Sequence, residues 1–276
     1  MPVIPSAEFF DIAGVRTYCL RAGKGPAVIL LHGLGASSYS WRRLLPDLAD
    51  ANAVYAVDLP GFGRSDKPLD FDYSFAGFSK WVIALMDHFG LERASLVGNS
   101  MGGVIAVRTA MEHSERVERL VLLGTPAYPH NRPQIIFTLR WPLVGRLVER
   151  LLGPWAVAVV APTAFFDKKH VTPELLAEYG LSLKHPGGRR AVVQFVRGAV
   201  PPDAQAWIAR YPGIQQPTLV VRGEHDTVLD RASAERFVKA LPRARFLSIP
   251  ACGHAAQEER PDIVVPALLE FLGARA

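Results

Sequence analysis

Residues 94–112 read ASLVGNSMGGVIAVRTAME. Ala94–Val97 is a short apolar run, as in a buried strand, and Met101–Glu112 carries its apolar residues at helical spacing. Between them Gly98, Ser100 and Gly102 stand in a Gly-x-Ser-x-Gly pattern. A serine wedged between a strand and a helix occupies a sharp, strained turn with crowded neighbours. Glycines on either side remove the side chains that would clash. Such a turn lifts the hydroxyl above the sheet edge, and the helix behind it offers unpaired N–H groups and the positive end of its dipole. Ser100 is therefore a candidate nucleophile. The plain alternative is a glycine-rich turn with an incidental serine; the placement between strand and helix argues against it.

Outward from this turn the chain alternates. Val15–Ala22, Ala27–Leu31, Ala53–Val57, Ala94–Val97 and Val117–Leu123 read as strands. Trp41–Ala49, Phe75–Phe89 and Met101–Glu112 read as helices. Continuous runs such as Ala27–Leu31 suit strands covered on both faces, so the expected class is α/β, with a mostly parallel sheet and helices on both sides. The alternation stops at Thr125–Pro126. Up to about Pro212 the apolar residues fall at helical spacing, broken by Pro and Gly. It resumes with strand Thr218–Val221, helix Ala232–Leu241, strand Arg245–Ile249 and helix Ile263–Leu272. The expected organisation is a core of residues 1–125 and 213–276 with an inserted helical cap at 126–212.

Composition excludes several classes. In 276 residues, 49% are hydrophobic and 21% charged, which is globular rather than disordered. Cys19 and Cys252 form neither a disulfide framework nor a metal-binding spacing. The net charge of +5 is spread along the chain without a basic stripe, so nucleic acid is not an expected partner. The N-terminal MPVIPSAEFFDIAG has no basic segment and no apolar core, so no signal peptide is expected. Prolines and charges interrupt the most apolar stretch, 135–166, so no membrane span is expected and the default location is the cytoplasm.

A serine hydroxyl needs a base. Of eight histidines, His254 follows strand Arg245–Ile249, on the sheet edge where Ser100 lies. A base needs an orienting carboxylate, and Asp226 follows strand Thr218–Val221 on the same edge. Glu224 is the rival acid, and Gly124-Thr125-Pro126 holds no carboxylate. Two backbone donors would complete the set: the N–H of Met101, and one from His32-Gly33-Leu34-Gly35, with Leu34 ahead of Gly35. His32 reads as a structural residue bonded to backbone.

These residues lie in LLHGLG (30–35), DLPGFGRSDKP (58–68), LVGNSMGG (96–103), LVVRGEHD (219–226) and IPACGHAAQEERPD (249–262). Together the motifs resemble the α/β-hydrolase superfamily over nearly the full length, in the order nucleophile, acid, base. The resemblance implies a Ser100–Asp226–His254 triad and an α/β-hydrolase fold. Ser100 sets the chain apart from haloalkane dehalogenases and epoxide hydrolases, which use aspartate. GNSMGG and the VTPELL of residues 171–176 are similar to the meta-cleavage-product hydrolases, which cut carbon–carbon bonds. Three features of that group are missing. Residues 32–35 lack the HGxGPG form and its following asparagine, Tyr179 stands where a cap arginine is expected, and Ala255 replaces a tryptophan.

Those losses remove groups that would hold an anionic dienoate. The expected activity is hydrolysis of small to medium, mainly neutral carboxylic esters, with no cofactor or metal. Alternatives are a carbon–carbon hydrolase, with Arg189 or Arg190 supplying the cation, a lipase, and a hydrolase-like ligand receptor. Gly35, Asn99, Trp141, Phe165, Phe166 and Tyr179 are candidate substrate-binding residues, with Phe137, Leu143 and Trp155 as further apolar candidates. For the apolar ones, packing alone explains them equally well. Chain-length preference and oligomeric state have no signature in the sequence.

Overall fold

The computed structural model describes residues 5–128, 141–199 and 204–273. Eight strands form one sheet: β1 (Ser6–Ile12), β2 (Val15–Ala22), β3 (Ala27–Leu31), β4 (Ala53–Val57), β5 (Ala94–Asn99), β6 (Val117–Leu123), β7 (Thr218–Gly223) and β8 (Ala244–Ile249). Their spatial order is β1-β2-β4-β3-β5-β6-β7-β8. β1 and β2 pair antiparallel, as do β2 and β4, and the other pairs are parallel. The continuous apolar runs follow from the pleat. In β3, Val28 and Leu30 join the core on one face, while Ile29 and Leu31 join the core on the other. β6 repeats this: Leu120 and Leu122 point one way, Val121 and Leu123 the other. With both faces buried, alternation of polar and apolar residues has no reason to appear.

α1 (Leu45–Ala49) precedes β4, α2 (Phe75–His88) precedes β5, and α3 (Met101–Glu112) follows β5. The helix expected over Trp41–Ala49 is instead a 3₁₀ turn at Ser38–Trp41 followed by α1. Pro46 lacks an N–H and is tolerated only in a first turn, so the α-helix begins beside it. β1 has no counterpart in the sequence reading. Most of its residues are exposed, so no apolar pattern marks it. It is held by a two-residue hairpin in which Ala13 and Gly14 both have positive φ, 51° and 80°.

Between β6 and β7 the described residues form only helices: α4 (Pro142–Leu151), α5 (Trp155–Ala164), α6 (Pro173–Tyr179), α7 (Leu181–Lys184), α8 (Pro186–Gly198) and α9 (Ala204–Arg210), with short 3₁₀ turns. Phe195 of α8 and Trp207 of α9 pack on Phe75 of α2, with ring centroids 5.2 and 5.8 Å apart. α10 (Arg231–Ala240) precedes β8, and α11 (Ala256–Glu259) and α12 (Pro261–Leu272) end the described chain. No described helix is long and apolar enough to cross a membrane.

Candidate active site

Ser100 links β5 to α3 with φ 52° and ψ −113°, a left-handed φ that a residue with a side chain rarely adopts. Such strain costs about 1–3 kcal/mol and persists only where the surroundings enforce it. Here Ser100 N–H donates to Leu123 O at 2.9 Å, tying the turn to the end of β6. A Cβ on Gly98 would collide with the backbone of Gly102 and Gly103, and one on Gly102 with Leu31 O and His32 O. The glycines are thus required by close backbone approach on both sides. Met101 N–H lies in the first turn of α3, where a helix offers no internal acceptor.

His254 and Asp226 meet below the same edge. His254 Nδ1 lies 2.9 Å from Asp226 Oδ2 and 3.0 Å from Oδ1, and both residues are buried. Asp226 Oδ1 also accepts from the N–H groups of Val228 (2.8 Å) and Leu229 (2.9 Å), which fix its plane. Glu224, the rival acid, is exposed. Buried Arg222 secures the loop around Asp226, donating to Leu229 O (2.7 Å), Glu224 O (3.3 Å) and Asp226 O (3.2 Å).

Backbone anchors set the histidine loop. His254 N–H donates to Ala164 O of α5 at 2.7 Å. Glu259 accepts from Gly253 N–H through Oε1 (2.8 Å) and from Phe166 and Asp167 N–H through Oε2 (2.8 and 3.0 Å). One buried carboxylate therefore clasps the histidine loop to the end of α5. Neither Arg222 nor Glu259 stands out in the sequence. Both act on backbone groups that only folding brings together.

The glycine loop after β3 faces Ser100. His32 Nδ1 lies 2.8 Å from Gly33 O, and Leu59 N–H donates to His32 Nε2 at 3.0 Å. An accepting Nε2 requires the neutral Nδ1–H tautomer. Complete burial favours the same state, holding the imidazole below its usual pKa despite nearby Asp58. His32 thus pins the loop to the end of β4. Leu34 and Gly35 line a cavity of about 380 Å³ that also contains Ser100, Asn99 and His254.

The candidate pocket residues differ in whether they border that cavity. Phe165 and Tyr179 line it. Trp141 and Phe166 do not: they are 68% and 47% exposed, and Phe166 stacks on His225 at 4.2 Å. Leu143 and Trp155 are likewise exposed, and Phe137 lies outside the described residues. Asn99 borders the cavity, but its amide donates to Leu123 O (3.2 Å) and His254 O (3.3 Å), which makes it a brace for the histidine loop. Arg189 and Arg190 are absent from the cavity wall, and Arg189 donates to Leu183 O at 3.0 Å. Tyr179 hydroxyl donates to Glu258 Oε1, and Arg42 Nη1 pairs with Glu258 Oε2 at 2.6 Å. Burial raises the pKa of the Glu258 carboxyl, an effect that Arg42 opposes. Among the described residues no group of three His, Cys, Asp or Glu side chains is arranged to hold a metal ion.

A strained serine between strand and helix, at the edge of a mostly parallel sheet and followed by an Asp–His pair from later strands, defines the α/β hydrolases. The chain belongs to that family: the model for the alpha/beta hydrolase fold matches residues 26–148 and 197–261. It is similar to an uncharacterised hydrolase of Bacillus subtilis, 28% identical over 99% of this chain and all of that one. It is also similar to 2-hydroxy-6-oxo-6-(2′-aminophenyl)hexa-2,4-dienoic acid hydrolase of Metapseudomonas resinovorans, 31% identical over 98% of this chain and 91% of that one. Among solved structures, 2-hydroxy-6-oxo-6-phenylhexa-2,4-dienoate hydrolase of a Rhodococcus strain superimposes with a TM-score of 0.80, at 27% identity over 99% of this chain and all of that one.

Proposed function

We propose that the chain is a serine carboxylesterase for small to medium neutral esters, with Ser100, Asp226 and His254 as its triad and residues 126–212 as a cap over the site. One observation carries this reading: among the described residues, the cavity that holds Ser100 and His254 is lined by no charged side chain. An unpaired carboxylate brought into such a cavity costs several kcal/mol. Half-buried Arg42, whose partner Glu258 also receives the Tyr179 hydroxyl, is already matched by that carboxylate. His254 takes the Ser100 proton as the hydroxyl attacks the ester carbonyl, and Asp226 orients the ring and stabilises the imidazolium. The N–H groups of Leu34 and Met101 receive the oxyanion, each worth about 3 kcal/mol. His254 then protonates the departing alcohol, and water, activated by His254, releases the acid from the acyl-enzyme.

A second reading has its own support. The Metapseudomonas and Rhodococcus relatives are named as dienoate hydrolases, so carbon–carbon cleavage is the competing chemistry. The test is a chain-length series of neutral p-nitrophenyl esters beside a ring-fission dienoate. Higher kcat/KM for a neutral ester is expected. A dienoate preferred over every ester would overturn the proposal.

A further inference from the structure

Eight of the twelve large apolar side chains most exposed among the described residues lie between Trp141 and Phe166. In α4, Leu143, Leu147 and Leu151 are 79%, 56% and 63% exposed. Spaced four apart, they form one stripe along the helix. Exposed tryptophans stand at both ends, Trp141 and Trp155, and the Trp155 indole donates to Leu151 O at 3.2 Å, joining α4 to α5 at the corner. In α5, Val159 and Val160 add further exposed apolar side chains, at 64% and 62%. Val160 also lines the cavity that holds Ser100, so exposed apolar surface of α5 reaches the mouth of the site.

The charges beside this face are mostly positive. Arg146 and Arg150 flank the leucines and are exposed, against one half-buried acid in α4, Glu149. Lys169, just beyond α5, is exposed too, and the whole chain carries +5. A leucine stripe with terminal tryptophans and flanking arginines has the make-up of a helix that lies in a bilayer interface, its apolar side among acyl chains and its cations at anionic headgroups. We propose that the α4–α5 face docks on an anionic phospholipid bilayer and sets the cavity mouth against the lipid, so that apolar esters enter from the membrane. The entry route rests on the esterase reading above; the docking does not.

The test is co-sedimentation with phosphatidylcholine vesicles prepared with and without phosphatidylglycerol, using the full chain, Ser100→Ala, Leu143→Ser/Leu147→Ser and Arg146→Gln/Arg150→Gln. The wild type and Ser100→Ala should pellet alike with the anionic vesicles and far less with neutral ones. The double leucine variant should lose at least about tenfold in vesicle affinity while keeping its turnover of a short water-soluble ester. The arginine variant should lose the preference for anionic lipid. Docking with no esterase turnover would sink the esterase reading and spare this one. Failure of the wild type to bind anionic vesicles, or undiminished binding by the leucine variant, would overturn the proposal. So would a concentration-dependent dimer that the leucine variant abolishes in the absence of vesicle binding, which would assign the face to a second copy of the chain.

Discussion

Leu31 and Leu147 are both leucines in regular elements, one in β3 and one in α4. Leu31 is fully buried and Leu147 is 56% exposed. The sheet and the helical insertion are each rich in apolar residues, yet only the sheet uses them to make a two-sided core. Its central strands have partners on both faces, so their apolar residues find cover. The helices of the insertion cover the cavity with one side, and α4 and α5 leave the other side bare. Apolar content by itself therefore does not locate a core; cover on the opposite face does.

The largest expected effect tests whether catalysis belongs to the core edge alone. Ser100→Ala and His254→Ala should each lower ester kcat by about four orders of magnitude or more, and Asp226→Asn by about 10⁴, with far-UV circular dichroism unchanged. Glu224→Gln should stay close to wild type, and a reversal of that ranking would move the acid. Next comes packing. Leu30→Ala or Leu122→Ala should cost about 2–5 kcal/mol in urea unfolding, because both fill fully buried sites. Leu147→Ala should fall within about 0.5 kcal/mol of wild type. A large loss at Leu147 would break the contrast between sheet and insertion.

The smallest effect probes the seam between the two regions. Cys19 sits in β2 and Cys252 beside the histidine loop; both are fully buried, and burial pushes each thiol up to about 12. A raised pKa leaves only about 1 thiol in 10⁴ ionised at pH 8. Neither should react with a disulfide reagent in the native protein, whereas both should react after unfolding in guanidinium. Fast labelling of Cys252 alone would show that the contact between α5 and the histidine loop opens readily.

Much of the core is legible in the sequence because its runs are governed by one rule, burial on two faces. β3 and β4 can be bounded to the residue in this way. β1 cannot, because its residues are mostly exposed and a hairpin holds it in place. The pairing of Asp226 with His254 can be inferred from strand ends, since a parallel sheet delivers them all to one edge. The pocket is harder. Trp141, Phe165 and Phe166 look alike as text, and only Phe165 lines the cavity. Asn99 reads as a substrate contact, but its two carbonyl partners, Leu123 and His254, come from distant parts of the chain. No local pattern encodes such a meeting.

The insertion also affects the order of assembly. In β6, Leu120 pairs with Thr218 of β7, roughly a hundred residues later, whereas a plain crossover spans a few tens. Closing that longer loop costs about 1 kcal/mol more in chain entropy. The rise in contact order also slows the step that joins β6 to β7. Until it happens β6 keeps an open edge, and Ser100 waits on a half-sheet without the Asp226 and His254 of the proposed triad. Acquisition of the site is thereby tied to the last long-range closure of the fold, and a chain halted on the ribosome before β7 carries the serine but not its partners.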